Sequence, residues 1–238
     1  QAVPAASIVD SGKCLFLQRK ICQICVPTCK SKAINFKMQP KKSTVEVGSI
    51  ILAPGYDPFD PITQTQYGYH RFSNVVTSLE FERMISASGP NGGELLRPSD
   101  KKIPHRIAWI QCVGSRDETS NCSYCSAVCC MYATKQVILS KEHHHEIEAV
   151  ILHNDIRAYG KGFERFYERA KAMPGVRYIW SKASILEQLP ETGKVALRYR
   201  LNGSEVKDEQ FDLVVLSIGL SPTAGNRELA QKLSIELD

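Results

Sequence analysis

The chain has 238 residues, of which 43% are hydrophobic and 23% charged, as in an ordinary globular protein of one large or two small domains. No apolar run reaches the ~18 residues of a membrane-spanning helix, and we find no secretory signal peptide. The net charge of +5 is mild and the basic residues are scattered, which argues against nucleic-acid binding. Because the chain starts at Gln1 rather than Met, we expect a segment of a longer protein.

Residues 1–45 contain four cysteines with the spacing C-x7-C-x2-C-x3-C, ending in A-I-N-F. The later part matches half of a bacterial ferredoxin, C-x2-C-x2-C-x3-C-P, in which a short strand follows the last cysteine. The first gap is longer here, and proline precedes the last cysteine instead of following it. An iron–sulfur cluster is favoured, and a four-cysteine zinc site is the alternative. The four are Cys14, Cys22, Cys25 and Cys29.

Residues 45–59 predict a buried strand, through Ile50, Ile51 and Leu52, that ends in Ala-Pro-Gly. A strand followed by A-x-G is common where a flavoprotein chain leaves its FAD domain, because glycine lets the backbone approach a ligand. A plain strand end followed by a turn explains the pattern equally well. Residues 78–87 predict an amphipathic helix capped by Ser78, and a linker rich in glycine and proline follows.

The segment from Arg106 to Ser140 predicts a buried strand, a loop with Gly114 and a helix that begins near Ser123. This is the first half of a Rossmann-type unit, but the G-x-G-x-x-G of a dinucleotide site is missing. Five cysteines take the place of the glycines. Long α/β patterns do not need disulfides, so thiolate ligands in a reducing, cytoplasmic compartment are favoured. The five are Cys112, Cys122, Cys125, Cys129 and Cys130.

The geometry expected of this segment favours a metal cluster. Cys125 and Cys129 are four residues apart on one helix face, Cys130 is one step round, and Cys112 arrives from the strand end. A helix N-terminus stabilises negatively charged thiolates. The same features would lower the thiol pKa, so redox thiol chemistry at Cys122 and Cys125 is the rival hypothesis.

The rest of the chain predicts two further parallel strands separated by a helix that stops at Pro174-Gly175. Hairpins turning at Thr192-Gly193 and Asn202-Gly203 follow. A closing strand, F-D-L-V-V-L-S-I-G, and a short helix through Glu228–Leu233 complete the pattern. The predicted fold class is α/β, with a parallel sheet and an antiparallel hairpin appendix.

Several unusual strings resemble the heterodisulfide reductase A family: Q-C-V-G-S-R-D, Y-C-S-A-V-C-C-M-Y-A-T-K, V-E-V-G-S-I-I-L-A-P-G-Y-D-P-F-D-P and N-V-V-T-S-L-E-F-E-R-M-I-S-A-S-G-P. The resemblance spans essentially the whole chain. It implies a thioredoxin-reductase-like core with FAD and [4Fe-4S] clusters. It also implies electron transfer to other heterodisulfide-reductase-type subunits from a hydrogenase or similar donor, and a homodimer is compatible with it.

The resemblance also assigns site residues. One cluster would be bound by Cys112, Cys125, Cys129 and Cys130, and Cys122 is left out because the family pattern does not demand it. A second cluster would be bound by Cys14, Cys22, Cys25 and Cys29. The two strands that flank FAD would contribute Ala53, Pro54, Gly55, Gly219 and Pro222. The glycine-rich ADP-binding loop and the C-terminal flavin contacts are expected outside the chain, so the flavin site would be partial.

The resemblance further implies a division of the chain into four parts. Residues 1–45 would be a ferredoxin-like cluster-binding segment, and residues 46–103 would be part of the FAD domain with a linker helix. Residues 104–213 would form an NAD-domain-like Rossmann unit that carries a cysteine cluster, and residues 214–238 would return to the FAD domain.

Three functions compete. The first is an electron-relay segment of a flavin and iron–sulfur oxidoreductase, with no catalytic acid or base of its own. The second is a zinc-stabilised structural or docking module, and the third is a dithiol–disulfide oxidoreductase. Nicotinamide-dependent reduction is weakened by the missing glycines.

Overall fold

The computed structural model describes residues 8–39, 42–201 and 204–237. The chain divides into two compact units, with the boundary between Leu52 and Ala53. The finer division into four parts stays a prediction. No helix in the described ranges is both long and apolar enough to cross a membrane.

The first unit contains two short helices, α1 (Leu15–Arg19) and α2 (Cys25–Thr28). Phe16 packs against Phe36 with the rings tilted by 46° and their centroids 4.5 Å apart. The buried strand predicted at residues 50–52 is wrong: these residues have no regular structure, and Ile51 is 92% exposed. The strand predicted at A-I-N-F is also absent, since the described part of this unit offers no neighbouring strand to pair with it.

A five-stranded parallel sheet forms the centre of the second unit and consists of β2 (Val75–Thr77), β3 (Arg106–Val113), β4 (Glu148–His153), β5 (Val176–Trp180) and β9 (Leu213–Ile218). The predicted β-α-β-α-β order of the middle segment is confirmed. The closing strand β9 lies between β2 and β3 in this sheet, and the short strand β2 was not predicted. The order of the strands across the sheet is β2-β9-β3-β4-β5.

Both faces of the central strands β3, β4 and β9 are covered, which explains why these strands are mostly continuous apolar runs. On one face, Trp109 of β3 packs edge-on against Phe81, and its indole N–H donates to Gln136 at 3.1 Å. On the other face, Ile110 belongs to the core cluster that includes Leu197 of an antiparallel sheet. The helices of this unit are α3 (Ser78–Met84), α4 (Cys129–His143), α5 (Phe163–Lys171) and α6 (Ala224–Leu233).

The antiparallel appendix is confirmed as a sheet of β6 (Ala183–Gln188), β7 (Val195–Leu201) and β8 (Glu205–Phe211). The first hairpin turns through Gly193, whose φ of +66° suits glycine. The second predicted turn, Asn202-Gly203, lies outside the described residues. A separate two-stranded ribbon pairs β1 (Tyr56–Pro58) with β10 (Leu220–Pro222), so that Tyr56 faces Pro222.

Two helix starts differ from the prediction. Helix α3 is capped by Thr77, not by Ser78, because Thr77 and Glu80 form a reciprocal capping box. Helix α4 begins at Cys129 and not near Ser123, because the preceding residues fold into a hydrogen-bonded loop.

Candidate functional site

Cys112 lies near the carboxyl end of β3, where the strand is irregular. The register between β3 and β9 shifts between Ile110 and Val113. Cys112 itself has a φ of +60°, which is uncommon for a residue with a side chain. An irregularity of this kind redirects a side chain at the end of a strand, and it is frequent next to functional sites.

The loop between β3 and α4 is held by a small hairpin. Asp117 and Cys122 exchange both backbone hydrogen bonds, at 2.9 and 3.1 Å. The Ser115 hydroxyl accepts from the Ser126 backbone N–H at 3.0 Å, and the Leu220 N–H donates to the Ser126 hydroxyl at 2.9 Å. The loop therefore has a fixed course from the sheet to the start of α4.

Cys129 and Cys130 are the first two residues of α4, and no side chain caps this helix. Its first backbone N–H groups are consequently available to an anionic group. Cys125 does not lie on the helix, so the predicted i,i+4 face with Cys129 is wrong. It sits in the loop, where its Sγ accepts from the Ala127 N–H at 3.3 Å.

The four predicted ligands influence one another electrostatically. Burial raises the pKa of Cys112, and the charges of Cys130 and Cys125 add to the rise. Burial raises the pKa of Cys129 to about 12, and the charges of Cys112, Cys130 and Cys125 act in the same direction. The end of β3, the loop that follows it and the start of α4 carry these four cysteines in turn.

The lowered thiol pKa expected at the helix N-terminus is wrong for three of these cysteines. Burial raises the pKa of Cys112, Cys129 and Cys130, which is opposite to the lowering expected of a helix N-terminus.

Two guanidinium groups lie beside these thiols. Arg116 forms an ion pair with Asp155, and Arg157 Nε donates to the same carboxylate at 3.3 Å. Cys130 Sγ lies 3.8 Å from the Asp155 carbonyl oxygen. Against the effect of burial, the charge of Arg116 lowers the pKa of Cys112, and the Arg157 backbone N–H and charge lower that of Cys130. This part of the site can balance negative charge on thiolates.

Cys122 faces a different region of the second unit. Its buried Sγ lies 3.9 Å from Ser221 Oγ, on the β1–β10 ribbon. It lines a cavity of about 950 Å³ together with Tyr124, Pro222 and Arg227. Its exclusion from the predicted ligand set stays a prediction, which this position supports.

The cysteines of the first unit surround its two helices. Cys14 precedes α1, Cys25 begins α2, and Cys29 follows α2. Cys29 Sγ accepts from the Ala33 N–H at 3.4 Å. Cys22 is partly exposed, and all nine cysteines of the chain are free.

The cysteines of both groups have the chemistry that thiolate ligation needs. They are free thiols, and backbone N–H groups donate to two of them, Cys29 and Cys125. In the described part of the chain, no three or more Cys, His, Asp or Glu side chains are arranged to hold a single metal ion. Both cluster ligand sets stay predictions.

The residues predicted to flank FAD fall into two groups. Ala53, Pro54 and Gly55 are exposed, and Gly55 has a φ of +76° with no atom near its missing Cβ. Gly219 is explained by packing, because a Cβ there would lie 2.6 Å from the Gly114 carbonyl oxygen. Pro222 lines the 950 Å³ cavity.

The sequence did not single out Asp57 or Arg227, which also line this cavity, next to the start of α6. The sequence signal for this region was the Ser-Pro-Thr that precedes α6. Threonine is a common N-cap residue, and Thr223 holds the N-cap position of this helix.

No protein-family model matches the chain. The chain is 43% identical, over its whole length, to the iron–sulfur A chain of the CoB–CoM heterodisulfide reductase of Methanocaldococcus jannaschii, of which it covers 36%. It is 42% identical over 99% of its length to the A chain of the H(2):CoB-CoM heterodisulfide,ferredoxin reductase of Methanothermobacter thermautotrophicus, of which it covers 35%. The chain is homologous to a segment of the heterodisulfide reductase A family.

A third relative, an iron–sulfur A chain of the CoB–CoM heterodisulfide reductase of Methanopyrus kandleri, is 46% identical over 85% of the chain. The chain spans about a third of the length of these relatives. Their names describe subunits of reductases, which are oxidoreductases, and two of the three are named as iron–sulfur subunits. The predicted resemblance to an internal segment of this family is confirmed.

Proposed function

We propose that this chain is an electron-transfer segment of an iron–sulfur flavoprotein oxidoreductase of the heterodisulfide reductase A type. The observation that carries the proposal is the position of the four cysteines on one strand–loop–helix segment: Cys112 near the carboxyl end of β3, Cys125 in the following loop, and Cys129 and Cys130 at the start of α4. The homology to iron–sulfur subunits supports it.

The chemistry of the site suits a cluster that carries one electron at a time. Four cysteines are the usual ligands of a [4Fe-4S] cluster. The uncapped N-terminus of α4 offers N–H groups to sulfur, and Arg116 and Arg157 supply positive charge. Donors and charge around a cluster tune its potential. Burial of Cys129 excludes water from this side of the site.

A second [4Fe-4S] cluster would be held in the first unit by Cys14, Cys22, Cys25 and Cys29. The spacing of the last three supports this, as does the N–H donor to Cys29 Sγ. The two sets lie in separate units, so each can be tested without changing the other.

The flavin part of the proposal rests on the β1–β10 ribbon. In a thioredoxin-reductase-like arrangement these two segments would be the crossovers beside FAD, and Pro222 faces a cavity large enough for part of a ligand. Two short segments would hold this part of the FAD: the residues that directly follow Pro54 and those that directly precede α6. The remaining contacts would come from elsewhere in a longer protein.

Other subunits of a heterodisulfide-reductase-type complex would be the partners. A hydrogenase or a similar donor would supply electrons, and a homodimer is compatible with the proposal. The names of the relatives, which describe them as subunits, support an assembly of several chains.

The test is the iron, zinc and acid-labile sulfide content of anaerobically purified protein, with an absorption spectrum. The proposal predicts about eight irons with equal sulfide, four per cluster. Stoichiometric zinc would contradict it and favour a docking module. Neither metal after anaerobic reconstitution, with rapid alkylation of Cys122 and Cys125, would favour thiol redox chemistry.

A further inference from the structure

An open cleft of about 470 Å³ lies at the carboxyl ends of β4 and β5, on the second unit. Asn154 follows β4, and Trp180 ends β5. In open parallel α/β sheets, this edge is where ligands bind, and the volume is within the ~300–1,000 Å³ range of ligand pockets.

Trp180 is the aromatic wall of the cleft. It is 67% exposed, whereas the second tryptophan of the chain, Trp109, is completely buried. Among the described residues, Trp180 has no aromatic partner and no cation over its ring. A large exposed aromatic face in a cleft is a stacking surface for a flat ring.

Two cations line the same cleft, Lys182 and Arg200. Within the ranges that the structure describes, neither has a carboxylate within salt-bridge distance. By contrast, Arg198 on the same strand as Arg200 is bound by Asp208 at 2.8 Å. Cations without acidic partners are available to phosphate.

A second, nearly enclosed cavity of about 20 Å³ adjoins the cleft and shares Asn154, Ser181, Lys182 and Ala183 with it. Gln111 and His153 also line it, and the structure gives no hydrogen-bond partner to Gln111 Oε1 or His153 Nδ1. Gln111 is only 8% exposed. Asp117 also lines this small cavity. Its pKa is lowered, mainly by hydrogen bonding to Thr119, and the positive charge of Lys182 acts in the same direction. The inner end is polar, which suits a polar ligand better than an apolar one.

We propose that this cleft binds a nucleoside diphosphate, with the base on Trp180 and the phosphates on Lys182 and Arg200. A mononucleotide is favoured over a dinucleotide because the turn that would hold a pyrophosphate, between β3 and α4, lacks the glycines for close approach and carries cysteines. Cys112 and Arg116 of the proposed cluster site also line the small cavity, but the base and phosphate contacts of this proposal lie in the outer cleft and need neither a cluster nor FAD.

Calorimetric titration of anaerobically purified protein with ADP, adenosine and inorganic pyrophosphate tests this assignment. ADP should saturate one site and bind at least about tenfold more tightly than either fragment, since stacking and phosphate contacts both contribute. Lys182→Gln and Arg200→Gln should each weaken ADP binding about tenfold. Trp180→Ala should weaken ADP binding but leave pyrophosphate binding unchanged.

Arg198→Gln is the matched control, because it removes the same charge from the same strand but from an arginine that Asp208 already binds. It should change ADP binding by less than about twofold. Thermal unfolding of each variant checks that the fold is retained. No saturable ADP binding to the unmodified chain, equal affinity for ADP and pyrophosphate, or an equal loss in Arg198→Gln would overturn the proposal.

Discussion

Gly219 occupies a position where the backbone of two segments meets. Its N–H donates to the Val113 carbonyl at 2.7 Å, and its missing Cβ would lie 2.9 Å from the Ser115 Cβ. Replacing Gly219 with alanine should therefore destabilise the protein by about 1–3 kcal/mol through overpacking. Chemical denaturation with a two-state fit measures this change.

Gly225→Ala is the control for that substitution. Gly225 lies in helix α6, and a Cβ there would meet only Thr223 Oγ1 at 4.0 Å. Alanine is the better helix former, so this variant should be as stable as the unmodified protein or slightly more stable. A Gly219→Ala variant that unfolds at the same denaturant concentration as Gly225→Ala would disprove the packing role.

The sequence was sufficient to place Cys112 at a strand end and Cys129 on the following helix, but it did not locate the start of that helix at Cys129. It could not show that Cys125 lies in a loop. The loop departs from helical geometry through Cys112, Arg116 and Ala127, which have positive φ without being glycine. Such residues cost about 1–3 kcal/mol each and are held by tertiary hydrogen bonds, which local sequence does not reveal.

At the scale of single elements, α3 owes its start to the capping box of Thr77 and Glu80. Thr77 Oγ1 accepts from the Glu80 N–H at 3.2 Å, and the Thr77 N–H donates to Glu80 Oε2 at 2.7 Å. Thr77→Ala should cost about 1 kcal/mol of unfolding free energy. Thr77→Ser keeps the capping oxygen and should lose clearly less unfolding free energy. Thermal unfolding of both variants measures the difference, and equal losses would argue against the cap.

Glu209 connects the antiparallel sheet to the parallel one. Its carboxylate accepts from Arg106 of β3 at 2.8 Å and from Arg177 of β5 at 2.7 Å, and Tyr199 donates to it. Burial alone would raise its pKa, but the hydrogen bonds from Arg177, Tyr199 and Arg106 lower it from 4.5 to about 2. A carboxylate with a lowered pKa stabilises the fold above its unfolded-state pKa.

The stability that Glu209 contributes should therefore be fully present above about pH 4.5 and lost as the pH falls towards 2. Glu209→Gln should cost about 1–2 kcal/mol at pH 7, allowing for solvent screening, and should flatten the decline across that interval. Denaturation at a series of pH values measures both. Glu205→Gln, which removes an exposed carboxylate from the same strand, should leave the dependence of the unfolding free energy on pH unchanged. The same pH dependence in Glu209→Gln, Glu205→Gln and the unmodified protein would contradict the role of Glu209.

The strands that could be predicted are those whose burial is complete. Strands β3, β4 and β9 are continuous apolar runs because both faces of the sheet are covered. Strand β2 has three residues, too few to show a pattern. Residues 50–52 have the same apolar character without a neighbouring strand, so composition alone gave the wrong structure there.

At the scale of the whole chain, two units each carry one group of cysteines, and the larger unit adds a cavity beside the β1–β10 ribbon. The family resemblance could be identified from the sequence because it depends on ordered motifs. The position of Cys122 beside Ser221 could not, since 99 residues separate them.

The most direct test of the central claim compares iron and sulfide in Cys129→Ser, Cys122→Ser and the unmodified protein, all purified anaerobically. We expect Cys129→Ser to lose about four irons and the matching sulfide, whereas Cys122→Ser should lose none. An unchanged iron content in Cys129→Ser, or an equal loss in Cys122→Ser, would contradict the assignment of the cluster to Cys112, Cys125, Cys129 and Cys130.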